Sequence, residues 1–196
     1  GTYGQPMGTT ISGESNIRQI VVGREVIQKA LGYSMPTFLE EEEFTHPQIP
    51  QMVALSGFRY ASLAQLDTWG RAGCPRLDLN AMFWKGIDGT QIRCVPRNAL
   101  FGFSPDPKKL AESDDFKKLE ALGKPLIFAW EEFGWESPEQ PAYLTSPAKY
   151  QTLDKVEFVT LVEYLDKYGA QAKEVIYLPM DAWNKSVHAK SGLIDK

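Results

Sequence analysis

Met35-Pro36-Thr37-Phe38-Leu39-Glu40-Glu41-Glu42-Glu43-Phe44-Thr45-His46-Pro47-Gln48-Ile49-Pro50-Gln51-Met52-Val53-Ala54-Leu55-Ser56-Gly57-Phe58-Arg59-Tyr60-Ala61-Ser62-Leu63 decides the fold. Met35 to Leu39 is a short apolar run that stops at acid, so it predicts a strand ending at Glu40 to Glu42. Thr45 opens a helix, with Pro47 in its first turn and Gln48 completing a capping box. Ile49, Met52, Val53 and Leu55 supply the buried stripe of that helix, and Gly57 ends it. Phe58 to Leu63 predicts a second strand. Strand, helix and strand joined by short links is the unit of a parallel α/β sheet.

The same alternation recurs on both sides. Ile17, Ile20, Val21, Ile27, Ala30 and Leu31 repeat at helical spacing, and Gly32 stops that helix. Leu79 to Trp84 and Gln91 to Val95 flank Asp88-Gly89, a hairpin signal, read as an excursion from the main scaffold. Lys108 to Leu122 predicts a polar amphipathic helix, and Leu126 to Trp130 a buried strand. Residues 135–150 read as a long binding loop. Val156 to Val159 predicts a strand, and Thr160-Leu161-Val162-Glu163 a second capping box opening a helix to about Tyr168. Ile176 to Pro179 is a last strand-like run. The polar tail over 184–196 is expected to be disordered. The expected class is therefore α/β, with one domain over 1–196 or a fragment of one.

Two acidic pairs fall where strands end: Glu41 and Glu42 after the first strand, Glu131 and Glu132 after Trp130. In α/β barrels, functional side chains sit at the C-terminal strand ends. Carboxylates from two such ends facing one pocket can divide nucleophile, acid and base work, as a glycoside hydrolase requires. A charge run is otherwise simply a solvated turn. Trp69, Trp84 and Trp130 stand near strand ends, where an aromatic face stacks on a sugar ring or packs in the core.

Composition bounds the alternatives. The 196 residues are 43% hydrophobic and 23% charged, with a net charge of -4. No basic stripe suits a phosphate backbone, so nucleic acid is not an expected partner. No apolar run approaches the roughly 20 residues of a membrane helix, so a soluble chain with no membrane contact is expected. Cys74 and Cys94 form no disulfide framework and are expected as free thiols. The chain starts with Gly1, which suggests a piece of a longer parent carrying further domains. No P-loop, dinucleotide fingerprint or Gly-x-Ser-x-Gly elbow occurs.

Four segments in order resemble the N-terminal catalytic domain of glycoside hydrolase family 38, the alpha-mannosidase family. They are Ser12 to Gln19 with Val22-Gly23, Phe44 to Met52 with Ser56-Gly57-Phe58, Phe83 to Thr90, and Glu157 to Tyr164. The resemblance implies a seven-stranded parallel (β/α) barrel, incomplete here, with an inserted hairpin, acting on carbohydrate by retaining hydrolysis. It places the family's nucleophile on Glu42 or on Glu41, depending on the anchor used for counting. It places the acid/base on Glu132, with Glu131 raising the pKa of Glu132 by like-charge repulsion. Gln65 stands where the family often has an Arg.

Both carboxylate positions carry Glu where the family has Asp, adding roughly 1.5 Å of reach. The family's nucleophile also ligates zinc, together with a His-x-Asp. This sequence has only His46 and His188 and no His-x-Asp. Zinc is thus an expectation for a full-length parent and is not supported by the ligands in this chain. The alternative is a non-catalytic carbohydrate-binding relative that has lost the metal.

Overall fold

A computed structural model describes residues 2–4, 11–39, 47–63, 77, 79–96, 100–101, 111–121, 129–130 and 159–176. Helix α1 spans Gly13–Leu31. Ser12 caps it by accepting from the Ser15 amide at 3.2 Å. Gly32 closes it at φ 65°, the left-handed geometry that a residue without Cβ adopts freely. The inward face differs from the predicted stripe. Asn16, Ile20 and Gly23 are buried, whereas Ile17, Val21 and Leu31 are exposed. The small Gly23 and the inward Arg24 rotate the contact face away from the apolar spacing.

Strand β1 is Thr37–Leu39, helix α2 is Ile49–Leu55 and β2 is Tyr60–Ser62. The strand–helix–strand reading therefore holds, with a later helix start than predicted. Gln48 is the N-cap and makes no side-chain cap bond, and a proline occupies the first turn. The carbonyl of Pro47 is instead taken by the Ile87 amide at 3.2 Å. Thr45, the expected cap, lies outside the described residues.

Strands β3 (Met82–Lys85) and β4 (Gln91–Val95) form the expected antiparallel hairpin. Asp88 accepts from the Thr90 amide at 3.1 Å and from its hydroxyl, and Gly89 turns the chain at φ 89°. The hairpin is no excursion. The sheet order is β1-β2-β4-β3-β7, so the hairpin is central. Here β7 is Lys173–Val175, which the sequence reading did not predict as a strand; of the predicted run Ile176 to Pro179, all but Ile176 lies outside the described residues. β1, β2 and β4 run parallel, and β3 and β7 run the opposite way. The sheet is thus mixed and, among the described residues, open rather than closed into a barrel. A separate parallel pair joins β5 (Leu100–Phe101) to β6 (Ala129–Trp130), with helix α3 (Asp114–Ala121) between them in sequence.

Strand alternation splits the main sheet into two faces. Phe38, Ala61, Leu63, Ile92, Cys94, Met82 and Trp84 join Ile20 of α1 and Ile49 and Val53 of α2 in one apolar core. Tyr60, Ala81 and Val95 pack on the other face with Tyr164 and Leu165 of α4, which spans Leu161–Tyr168. The predicted capping box opens α4. Glu163 N donates to Thr160 Oγ1 at 3.2 Å, and Thr160 N donates to Glu163 Oε2 at 2.8 Å. The Thr160 amide and hydroxyl both donate to the Glu163 carboxylate and hold it below its ordinary pKa. A single 3-10 turn, Gly169–Gln171, leads from α4 to β7.

Candidate functional site

Strand geometry fixes where the expected site begins. β1 ends at Leu39, the residue before Glu40, and β6 ends at Trp130, the residue before Glu131. Leu39 lies opposite Ser62 in the neighbouring parallel strand. β1 and β2 therefore finish at the same end of the sheet. Glu41, Glu42, Gln65, Trp69, Glu131 and Glu132 lie outside the described residues, as do His46, His188, Cys74, 135–150, 156–158 and 184–196. Trp130 is placed by its backbone, paired with Phe101.

Trp84 is described, and its place is the core. It is 1% exposed, between Ile92 and Val175 in register, on the face covered by α1 and α2. β3 runs against β1 and β2, so the end of β3 meets their starts. In this structure Trp84 packs where the sequence suggested a sugar platform. Its buried indole N–H has no hydrogen-bond partner among the described residues. Cys94 is a buried free thiol, as expected.

The described residues contain one polar constellation that the sequence reading missed. Tyr60 of β2 donates its hydroxyl to Asp166 Oδ1 at 2.6 Å, and Arg93 Nη1 of β4 donates to the same oxygen at 3.0 Å. Loss of the Tyr60 proton would break the bond to Asp166, so its pKa lies above the ordinary tyrosine value, helped by burial and the Asp166 charge. Arg59 lies 5.3 Å over the Tyr60 ring. Together with Phe58, Phe83, Gln91 and Ile92 these residues line a cavity of about 550 Å³. It sits at the starting ends of β2 and β4, opposite the edge that leads to the acidic run. A charged residue inside an otherwise apolar strand, Arg93 between Ile92 and Cys94, was the available signal.

Beside this cavity, Glu174 accepts from Lys85 Nζ at 2.8 Å and from the Gln91 amide. Lys85 chiefly holds the Glu174 carboxyl below its usual range. Among the described residues no cluster of His, Cys, Asp and Glu side chains fits a metal ion, and no helix is long and apolar enough to cross a membrane.

Comparison with known proteins extends over most of the chain. A family model described as glycosyl hydrolases family 38 N-terminal domain matches residues 1–180. Alpha-mannosidase G of Dictyostelium discoideum is 24% identical over 169 residues, which span 84% of this chain and 15% of that relative. Among solved structures, an alpha-mannosidase from Enterococcus faecalis V583 superposes with a TM-score of 0.58 at 16% identity, covering 85% of this chain and 20% of that one. A 4-alpha-glucanotransferase from Thermococcus litoralis gives 0.57 at 21% identity, covering 90% and 27%. These likenesses show an α/β fold shared with much longer proteins.

Proposed function

The chain belongs to the glycosyl hydrolases family 38 N-terminal domain family, and from that premise we propose that it is the catalytic part of an alpha-mannosidase-like retaining glycosidase acting on carbohydrate. The observation that carries this reading is the family match over residues 1–180. The strand ends support it, because β1 and β6 both finish directly before the acidic pairs. In the proposed mechanism Glu42 or Glu41 attacks the anomeric carbon. Glu132 protonates the leaving oxygen and then activates water, with Glu131 keeping Glu132 protonated by like-charge repulsion. Retention calls for carboxyl groups about 5 to 5.5 Å apart. A seven-stranded barrel is the proposed frame, with Trp69, Trp130 and Gln65 contacting the sugar.

The resemblance implies zinc for the family; among the described residues no cluster of His, Cys, Asp and Glu side chains fits it. The test is hydrolysis of a panel of aryl glycosides, with added zinc and with a chelator in parallel. Turnover of an aryl alpha-mannoside is expected. Glu132→Gln should lower kcat by about 100-fold or more with an unchanged unfolding midpoint. Wild-type rates in that variant would remove Glu132 from the mechanism. A second reading, a carbohydrate-binding relative without turnover, is favoured by Glu in place of the family's Asp at both carboxylate positions. Sugar binding without hydrolysis across the panel would select it.

A further inference from the structure

We propose that the cavity at the starting ends of β2 and β4 is a second binding site, for a small polar molecule carrying one phosphate or carboxylate group, with Arg59 as its anchor. Two guanidinium groups, Arg59 and Arg93, line the cavity against one carboxylate, Asp166. Asp166 is already committed, since one of its oxygens accepts from both Tyr60 and Arg93. Tyr60 is a neutral donor at pH 7, and its bond to Asp166 pushes its pKa further up. Glu174, near the rim, is matched by Lys85 at 2.8 Å. Among the described residues Arg59 has no carboxylate within ion-pair distance, and the lining carries one unmatched positive charge.

Geometry adds the rest. Arg59 lies over the Tyr60 ring, 5.3 Å from its centroid, and no described side chain or carbonyl accepts from its guanidinium, so its fork of N–H donors is left for an oxyanion. Arg93 spends one terminal nitrogen on Asp166. Phe58 and Phe83 contribute apolar wall, and about 550 Å³ is room for a body of sugar size beside the anionic group. The whole chain is net negative, so attraction here is local and falls with added salt. This site is at the starting ends of β2 and β4, at the opposite end of the main sheet from Leu39, where β1 stops, and stands independently of the hydrolase reading.

Calorimetric titration at low ionic strength tests it with four probes: inorganic phosphate, a hexose 6-phosphate, a hexuronate and the neutral hexose. At least one anionic sugar should bind about tenfold or more tightly than the neutral hexose. Preference for the hexose phosphate assigns a phosphate ligand, and preference for the hexuronate assigns a carboxylate. Arg59→Ala should weaken the favoured anion about tenfold while leaving the unfolding midpoint unchanged, and Arg59→Lys should recover part of the loss. Phe83→Ala should weaken the anionic sugar without weakening inorganic phosphate. The proposal fails if no anion binds, if the neutral hexose binds equally well, or if Arg59→Ala binds like the wild type. Inorganic phosphate matching the sugar phosphate would overturn the role of the aromatic wall. Because the readout is binding, an inactive hydrolase leaves the test intact.

Discussion

The two faces of the central sheet are held in different ways. Under α1 and α2 the contacts are almost entirely apolar, from Phe38 through Leu63 and Met82 to Trp84. Under α4 the apolar cluster is smaller, and hydrogen bonds tie the helix to the strands. Tyr60 and Arg93 reach Asp166, and Tyr164 reaches the Asn80 carbonyl at 3.3 Å. Alternation along the same strands produces both, since Tyr60 and Arg93 share one face while Ala61, Ile92 and Cys94 share the other. Dispersion and burial act without direction and tolerate approximate placement. Hydrogen-bonded ties need the partners in register, and they leave donors that a ligand can use.

The largest expected effect falls on the apolar face. Trp84→Ala should cost about 3–5 kcal/mol in chemical denaturation, because the indole is fully enclosed and the surrounding sheet cannot collapse onto the void. Trp84→Phe should cost less, since it keeps an aromatic ring and removes a buried N–H that has no partner among the described residues. A loss below about 1 kcal/mol for the alanine variant would break the contrast between the faces.

One polar clamp belongs to the apolar face, and it sharpens the comparison. Arg24 of α1 donates to the Ser56 carbonyl at 2.6 Å and to Ser34 Oγ at 2.8 Å, and lies 5.4 Å over the Phe58 ring. It meets the end of α2, where the helix dipole favours a cation. Gly57 lies there at φ 87°, and a Cβ on it would stand 2.5 Å from Arg24 Nη1. Gly57→Ala should therefore cost about 1–3 kcal/mol, from the left-handed backbone and from displacing the guanidinium. Combining it with Arg24→Ala separates the two terms. A double variant whose losses simply add would remove the steric part.

What the sequence made legible was local. The Gly32 cap, the Thr160–Glu163 box and the Asp88-Gly89 turn depend on residues within a few positions, and each forms as its motif predicts. Non-local facts were hidden. Nothing in the hairpin's own residues states that β4 will pair with β2 and β3 with β7, which makes an apparent excursion the middle of the sheet. That pairing also bears on Trp84, since reversing β3 carries it to the end of the sheet where β1 and β2 start, while alternation with Met82 places it on the face under α1 and α2. Lys173-Glu174-Val175 lacked any strand signal because an edge strand with exposed side chains need not alternate. For the site, the two strand ends before the acidic pairs were readable as sequence. The Tyr60–Arg93–Asp166 group was not, because it joins positions 106 and 73 residues apart.

The smallest effect is expected on the hydrogen-bonded face, and pH gives it a sign. Tyr60→Phe removes the hydroxyl that donates to Asp166 but keeps the ring, and should cost about 1 kcal/mol near neutral pH. The folded Tyr60 pKa is raised above the unfolded value of about 10. Its contribution is thus fully present below that pH and disappears as pH climbs through the folded value. Wild type and Tyr60→Phe should therefore differ at pH 7 and converge well above pH 10 in paired denaturation curves. Curves that run parallel through the alkaline range would show that the Tyr60 proton does not stabilise this face. The tie between β2 and α4 would then rest on ring packing, as it does on the opposite face.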